Sequence, residues 1–360
     1  MFKDLTHYKP NLEKTLMQMN RTYVDALEKK GGNVTLRTLP PEDIKVFEDF
    51  DLTKYNFIDD IEVYADDLCR LLESSFEARK DVDDNMIPAV TPVLGIGDFS
   101  AFVAGDIHFR KHTSWSVPVL KRLDDWKALP PLGQSPWYPR LMAIHEALIK
   151  RARSGGIPFT RGYFSPLDLA AALRGDAIYT DFFDDPEGVR DLLDYCAKAT
   201  IHFADDVYRL AKKYLGDTAH GMWYLEGCIN MGEDIACNIS KDLYDAFCRP
   251  YTEKIVEHFG RGHMHTHSSG MQLLHSICTI PGVVSLWLPT DPNTARPIDD
   301  IPGLIKDVGA VNQAIDCDRF EDVVKAFDAM KRGNFSVTVP VKSIGEAKQL
   351  VDRFNRLMTP

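Results

Sequence analysis

The sequence predicts an α/β protein built as a (β/α)8 barrel (a TIM barrel) with an N-terminal helical segment. Beyond residue 86, short apolar runs alternate with longer amphipathic stretches, which is the pattern of parallel strands connected by helices. About seven or eight such units follow one another, and this number favours a closed barrel over an open doubly wound sheet.

Residues 1–85 are predicted to form a helical segment that packs on the barrel, and residues 86–360 the barrel itself. Leu68 and Leu72 belong to one of two stretches in which apolar residues recur at helical spacing. A Pro-Pro break at Pro41 separates the two stretches. The segment is therefore interpreted as helices laid against a core that comes later in the chain.

The barrel region contains seven candidate strands and several clear helix starts. An Asp-Pro-Glu start at Asp185 opens one long helical pattern, and Ser240 is the predicted N-cap of another. The candidate strands are 87–94, a region near Ile157, 221–225, 263–267, 283–288, 310–315 and 335–339.

Composition and charge exclude several classes of function. The chain has a formal net charge of −11 and 44% hydrophobic residues, so we expect neither nucleic acid nor a membrane as a partner. Its seven cysteines include no CxxC pair, which together with the lack of a signal-like apolar stretch predicts a cytoplasmic protein. No GxGxxG or GxxxxGK[ST] pattern supports a dinucleotide or P-loop site.

Three histidines form the strongest candidate site. His263, His265 and His267 lie at i, i+2 and i+4, so on a strand they share one face. His267 comes last, before a Ser-Ser-Gly turn, where a barrel strand would deliver it to the mouth. Clustered imidazoles suit zinc or another divalent metal, although inert polar packing inside the barrel is the alternative.

Acidic residues precede the helix that begins after Ser240. Glu226, Glu233 and Asp234 fall between an apolar strand and that helix, and carboxylates at a barrel mouth act as acids, bases or metal ligands. We predict catalytic roles for Asp234 and Glu233 together with His267. Helix capping and solvation are the alternative.

Five further residues are predicted to bind a small-molecule substrate. They follow candidate strands or lie in aromatic-rich segments near them, where a concave pocket would form. They are Asp98, Phe99, Trp115, Trp223 and Asp291.

Several segments together resemble the uroporphyrinogen decarboxylase superfamily, which includes the decarboxylase and barrel methyltransferases that serve corrinoid-dependent methyl transfer. GEDIACNISKDLYDAFCRPYTEKIVEHF is similar to the family's acidic pair and following helix, and HTHSSG stands where the family has a strand ending in His-x-Cys-Gly or His-x-Asp-Gly. GGIPFTRGYFSPLDLAAALRG and VLGIGDFSAFVAGDIHFRKHTSW extend the likeness, which runs from about residue 90 onwards. The resemblance implies a methyltransferase-like enzyme, a corrinoid protein as partner and a homodimer.

The chain departs from that family in two ways. The decarboxylase's Arg-rich opening loop is missing, so the carboxylates of a tetrapyrrole would lack their paired cations. Thiol-activating relatives hold zinc with one His and two Cys, whereas Ser269 stands at the first Cys position and 337–340 contains no Cys. A zinc site would therefore use His265, His267 and a carboxylate such as Glu226.

Three functions remain open from the sequence. The first is a methyltransferase-like enzyme acting on a small methylated or methyl-accepting substrate, with a corrinoid protein as partner. The second is a decarboxylase or lyase of a small carboxylated or tetrapyrrole-like substrate, with Asp234 and His267 as acid and base. The third is a barrel that binds a ligand without turnover. The first is favoured.

Overall fold

The computed structural model describes residues 2–216 and 227–359. One sheet of seven parallel strands dominates these residues, in the order β1-β9-β8-β7-β6-β5-β4, and β2 pairs with β3 in a separate antiparallel ribbon. The strands are β1 Asn33–Leu39, β2 Ile107–Phe109, β3 Ser114–Ser116, β4 Tyr163–Phe164, β5 Cys228–Gly232, β6 Arg261–His265, β7 Val283–Leu288, β8 Asn312–Asp316 and β9 Asn334–Pro340.

Helices connect the strands, as parallel pairing requires. Two predicted caps are confirmed: the Asp185 carboxylate accepts a hydrogen bond from Gly188 N at 3.0 Å, and Ser240 Oγ accepts one from Leu243 N at 3.2 Å. The helices are α1 Leu5–Tyr8, α2 Leu12–Leu27, α3 Pro41–Asp49, α4 Ile61–Arg79, α5 Asp98–Ala101, α6 Tyr138–Arg153, α7 Pro166–Arg174, α8 Ile178–Asp184, α9 Pro186–Leu215, α10 Lys241–Leu243, α11 Arg249–Phe259, α12 Leu274–Cys278, α13 Ile301–Val308, α14 Phe320–Met330 and α15 Ile344–Met358.

The predicted strand 87–94 is not a regular strand, but together with Asn85 ahead of it this segment links the two edges of the sheet. Asn85 N donates to Leu36 O of β1 at 2.7 Å, and Val90 N donates to Pro158 O, ahead of β4, at 2.8 Å. The segment therefore occupies the eighth position, between β1 and β4. The α/β class is confirmed, and the arrangement is that of a TIM barrel with seven regular strands.

The N-terminal segment differs from its prediction. Residues 1–85 were expected to be helical, but they contain β1, whose seven residues all pair in parallel with β9. The segment thus supplies a strand of the barrel wall as well as helices that pack on it. The predicted strand 221–225 lies outside the described residues, and the strand that carries Asp234 at its end begins at Cys228.

Helix α2 lies across the amino-terminal end of the barrel. Its residues Met19 and Tyr23 pack with Ile87, Cys228 and Val284 in a small buried apolar cluster. Cys228 is the first residue of β5 and Val284 the second of β7. The helix therefore closes the barrel at the end opposite the carboxyl termini of the strands.

The interior of the barrel is polar and is reached by solvent from the carboxyl-terminal end. Side-chain hydrogen bonds run across neighbouring strands from Thr35 to Ser336, from Ser336 to Asn312 and from Asn312 to Ser285, at 2.8, 3.1 and 2.9 Å. Above this layer, half-buried residues alternate with buried ones along β5, β8 and β9. We call this accessible interior the lumen.

No helix within the described residues combines the length and the apolar character needed to cross a lipid bilayer.

Candidate metal centre

Two adjacent strands bring an aspartate and two histidines together at the carboxyl-terminal mouth. Asp234 follows β5, and His265 ends β6, directly ahead of the turn that carries His267. His265 Nε2 lies 3.3 Å and His267 Nε2 3.7 Å from Asp234 Oδ1. One ligand atom from each of the three residues lies within 4.8 Å of the other two. We call these three residues the ligand cluster.

The backbone around Asp234 is held by a second aspartate that the sequence did not single out. Asp168 lies in the first turn of α7 and accepts hydrogen bonds from Asp234 N at 2.9 Å and Ile235 N at 3.0 Å. Asp168 is buried, and burial, followed by the charges of Asp234 and Glu233, raises its pKa well above the ordinary value. Because Asp168 accepts hydrogen bonds from two consecutive backbone amides, it fixes the position of the main chain from which the Asp234 side chain extends.

Gly232 provides the space into which the Asp234 carboxylate turns. A Cβ at this glycine would lie 3.1 Å from Asp234 Oδ1 and 3.5 Å from Asp168 Oδ2. The first distance is shorter than about nine in ten of the contacts that Cβ atoms make in proteins. The absence of a side chain at Gly232 therefore permits the observed position of Asp234.

His267 is oriented by Asp291, which the sequence predicts as a substrate-binding residue. His267 Nδ1 donates to Asp291 Oδ1 at 2.7 Å, while Ser269 N and Oγ donate to Asp291 Oδ2 at 3.1 and 2.7 Å. Burial opposes ionisation of Asp291, but these hydrogen bonds outweigh it and lower its pKa. Asp291 thus orients His267, and Ser269 in turn holds the Asp291 carboxylate in place.

The surroundings of His265 favour the neutral form of its imidazole. Burial lowers the pKa of this imidazole, against the opposing effect of the Asp234 carboxylate, and the neighbouring His267 lowers it further. Its ring centroid lies 4.5 Å from that of Trp287 and 4.9 Å from that of His267. A neutral imidazole is the form that binds metals.

The ligand cluster fits a divalent ion with nitrogen and oxygen ligands. Zinc–nitrogen distances of about 2.0 Å in a tetrahedral site place neighbouring ligand atoms about 3.3 Å apart, close to the 3.3 and 3.7 Å observed here. Asp234 Oδ1 is buried and accepts no hydrogen bond from the described residues. A buried carboxylate oxygen without a donor is costly, and a metal ion would compensate it.

Two of the other candidates near the cluster lie in the interior. Glu233, predicted as catalytic, is fully buried and its Oε1 accepts hydrogen bonds from Tyr244 at 2.8 Å and Thr252 at 2.7 Å. The carboxylate of Glu233 is therefore held by residues of the helical layer and does not lie with the ligand cluster. His263 is buried at the level of Ser285, and burial lowers its pKa to about 3.

Asp98 has a different setting from the one predicted. It is buried in an ion pair with Arg161, at 2.8 Å between Oδ2 and Nη1, and Arg161 also donates to His145 Nε2 at 2.8 Å. The carboxylate of Asp98 is therefore used in a buried ion pair. Burial raises the pKa of Asp98, and the positive charge of Arg161 opposes this effect. A role in substrate binding is not supported by this geometry.

The two predicted aromatic residues that the structure describes lie in different places. Phe99 is half-buried at the rim of the lumen, with its ring 5.0 Å from that of Phe164. Trp115 lies on the β2-β3 ribbon, stacked on His108 at 5.9 Å and apart from the ligand cluster. Trp223, and likewise Glu226 as a metal ligand, lies outside the described residues.

Asp168 and Asp316 are the residues at the mouth that sequence reasoning missed. Asp168 stands three residues after Ser165, whose side chain caps α7, so its sequence context is that of an ordinary helix start. Asp316 is the last residue of β8, and its position at the carboxyl end of a barrel strand was the available signal.

Comparison with known proteins supports the fold. No family model matches the chain, and no curated protein matches it. Among solved structures, a methyltransferase from Methanosarcina mazei is similar over 94% of this chain and 98% of its own, with a TM-score of 0.57 and 13% sequence identity. At that identity the likeness shows a shared fold.

A second solved structure is a weaker match. It is the homocysteine methyltransferase MmuM from Escherichia coli in its apo form, which covers 55% of this chain and 96% of its own, with a TM-score of 0.26 and 14% identity. The similarity is too low to carry an argument.

Proposed function

We propose that this protein is a methyltransferase-like enzyme that acts on a small substrate at a divalent metal centre formed by Asp234, His265 and His267. The observation that carries the proposal is the convergence of these three ligand atoms, with Asp234 Oδ1 buried and lacking a hydrogen-bond donor. The fold shared with the Methanosarcina mazei methyltransferase supports the reaction class.

The chain's own residues prepare the site for a metal. Asp291 holds Nδ1 of His267 as a donor, so Nε2 carries the free lone pair on the side of Asp234. Asp168 restrains the main chain at Asp234. Zinc held by two imidazoles and one carboxylate would act as a Lewis acid toward an oxygen or nitrogen atom of the substrate, because no thiolate softens it.

Metal analysis tests the centre directly. Protein purified without chelator should contain about one equivalent of zinc per chain, and His267→Ala and Asp234→Asn should each lose it. His275→Ala serves as a matched control, because His275 is an exposed histidine on α12. Well under one equivalent of metal in the parent protein, with no uptake of added zinc, would contradict the proposal.

We further propose that a corrinoid protein carries the methyl group, and that the enzyme works as a cytoplasmic homodimer. These parts rest on the family resemblance. Demethylation of methylcobalamin in the presence of candidate small acceptors, followed by absorbance, tests the first, and should be lost in His267→Ala. Light scattering after size exclusion tests the dimer.

A lyase is the second candidate, favoured by one observation. Asp234 and His267 lie 3.7 Å apart at the mouth, where a carboxylate and an imidazole could serve as base and acid without a metal. Metal content separates the two candidates, because a metal-free lyase would keep its turnover in the presence of chelator.

A further inference from the structure

The lumen next to the ligand cluster is bordered by an exposed indole. Trp287 is 41% exposed, while the other five residues of β7 are buried. It pairs with His265 across the strands, and the two ring centroids lie 4.5 Å apart. An aromatic surface therefore faces the lumen directly beside a proposed metal ligand.

A carboxylate lies next to this indole. Trp287 Nε1 donates a long hydrogen bond of 3.4 Å to Oδ2 of Asp316, which is half-buried at the end of β8. Burial raises the pKa of Asp316, and the opposing effects of Trp287 and of Arg37 on β1 do not fully offset it. A carboxylate in this position would be stabilised by a further positive charge.

Two more rings stand on the other side of the ligand cluster. Phe164 of β4 pairs with Gly232 of β5, and its ring lies 5.0 Å from that of Phe99. A Cβ on Gly162 would meet Phe99 Cζ at 3.8 Å and Asn230 Nδ2 at 3.4 Å, which places Phe99 over the lumen. Aromatic rings thus flank the ligand cluster along the barrel wall in both directions.

We propose that the lumen binds a small organic ammonium compound with N-methyl groups, whose cationic nitrogen lies against the indole of Trp287 and beside the carboxylate of Asp316. An indole face attracts such a cation through its quadrupole, and the carboxylate supplies the opposite charge. A methyl group on that nitrogen would then point toward the ligand cluster. This inference rests on the proposed function and narrows it by naming the substrate class.

Choline and 3,3-dimethylbutan-1-ol test the inference, because they differ only in a positively charged nitrogen against a neutral carbon. Calorimetric titration of the full-length, metal-loaded protein should show choline binding at least about tenfold more tightly than the alcohol. Equal affinities for the two compounds would overturn the inference.

Two variants locate the site. Asp316→Asn should remove most of the preference for choline, and Trp287→Leu should weaken choline about tenfold. The matched controls are Asp318→Asn, an exposed acid two residues further on, and Trp126→Leu, a half-buried tryptophan stacked on Tyr195. Controls that lower choline binding as much as the site variants would overturn the inference.

A spectroscopic measurement on the parent protein guards against misfolded variants. In protein labelled with 15N-tryptophan, the Nε1–H signal of Trp287, assigned from Trp287→Phe, should shift with choline and stay in place with the alcohol. A Trp287 signal that ignores choline at saturating concentration would count against the site.

The experiments distinguish a failure of the proposed metal centre from a failure of the proposed ammonium site. If His267→Ala loses zinc but keeps the choline preference, the ammonium site stands independently of the metal. If the parent protein binds zinc but does not distinguish choline from its isostere, the metal centre stands and the substrate class is wrong.

Discussion

Asp291 accepts a hydrogen bond from Nδ1 of His267 at 2.7 Å, while Nε2 of the same ring lies 3.7 Å from Asp234. Nδ1 is therefore used to hold the ring of His267 in place, and Nε2 is left to bind a metal ion. Carboxylate–histidine pairs of this kind fix both the tautomer and the ring orientation of metal ligands.

Asp291→Asn should lower zinc affinity by about 10–100-fold, because the amide removes the negative charge behind His267. Competition with a chromophoric chelator measures this affinity. Asp318→Asn, which alters an exposed acid, is the control. Zinc affinity unchanged in Asp291→Asn would show that the pair does not support metal binding.

Gly232→Ala should reduce zinc affinity roughly tenfold or more, because the added methyl would crowd Asp234 Oδ1 at 3.1 Å and overpacking costs about 1–3 kcal/mol. Gly345→Ala is the matched control, since its Cβ would meet only Ser343 Oγ, at 3.7 Å. The same chelator competition reports both. Equal zinc affinity in the two variants would mean that the Asp234 side chain can shift away from the added methyl group without weakening zinc binding.

Asp98→Asn should destabilise the protein by about 3–5 kcal/mol, because it leaves the buried charge of Arg161 without its partner. Urea unfolding measures the loss. The double variant Asp98→Asn with Arg161→Met should recover part of it, since no buried charge then remains. If Asp98→Asn kept its stability but lost ligand binding, the substrate-binding role predicted from sequence would be restored.

His145 predicts a pH dependence of stability. Its pKa is lowered to about 3, mainly by burial and then by the charge of Arg161, against about 6.5 in an unfolded chain. Between these values the unfolded chain holds a proton that the folded protein lacks. The free energy of unfolding should therefore fall as pH drops from about 6.5 toward 3, by at most about 1.4 kcal/mol per pH unit.

His145→Gln tests this dependence by removing the titrating group while keeping an acceptor for Arg161. Urea midpoints at pH 7, 6 and 5 should decline less steeply than in the parent protein. Some decline will remain, because the pKa of His263 is also lowered to about 3. His275→Gln, an exposed histidine, should leave the slope as it was, and parallel slopes for all three proteins would disprove the assignment.

Much of the barrel could be predicted because β6 to β9 each carry a local signal. The candidate strands 263–267, 283–288, 310–315 and 335–339 all overlap observed strands. Strand β1 was missed, because its partner β9 lies 301 residues away in the chain. A strand that runs into a Pro-Pro break has no local feature that reveals such a distant pairing.

The candidate site was predictable only in part for the same reason. Position at strand ends was enough to single out Asp234, His265 and His267, which the structure brings together. Choosing between adjacent acids was not possible, because a shift of one residue sends Glu233 to the helical layer and Asp234 to the mouth. The ion pair between Asp98 and Arg161 could not be predicted either, because the two residues are 63 positions apart in the chain and no local pattern connects them.

The placement of α2 beneath the barrel has a consequence for turnover. Within the described residues, Met19 and Tyr23 of α2 pack against the amino-terminal ends of β5 and β7, so a small molecule would enter and leave the lumen at its carboxyl-terminal mouth. The proposed corrinoid protein, if docked over that mouth, would keep a bound small molecule inside the lumen until the two proteins dissociate. In the proposed reaction, small-molecule binding would then have to precede docking of the corrinoid protein, and an excess of that protein would slow the exchange of the small molecule.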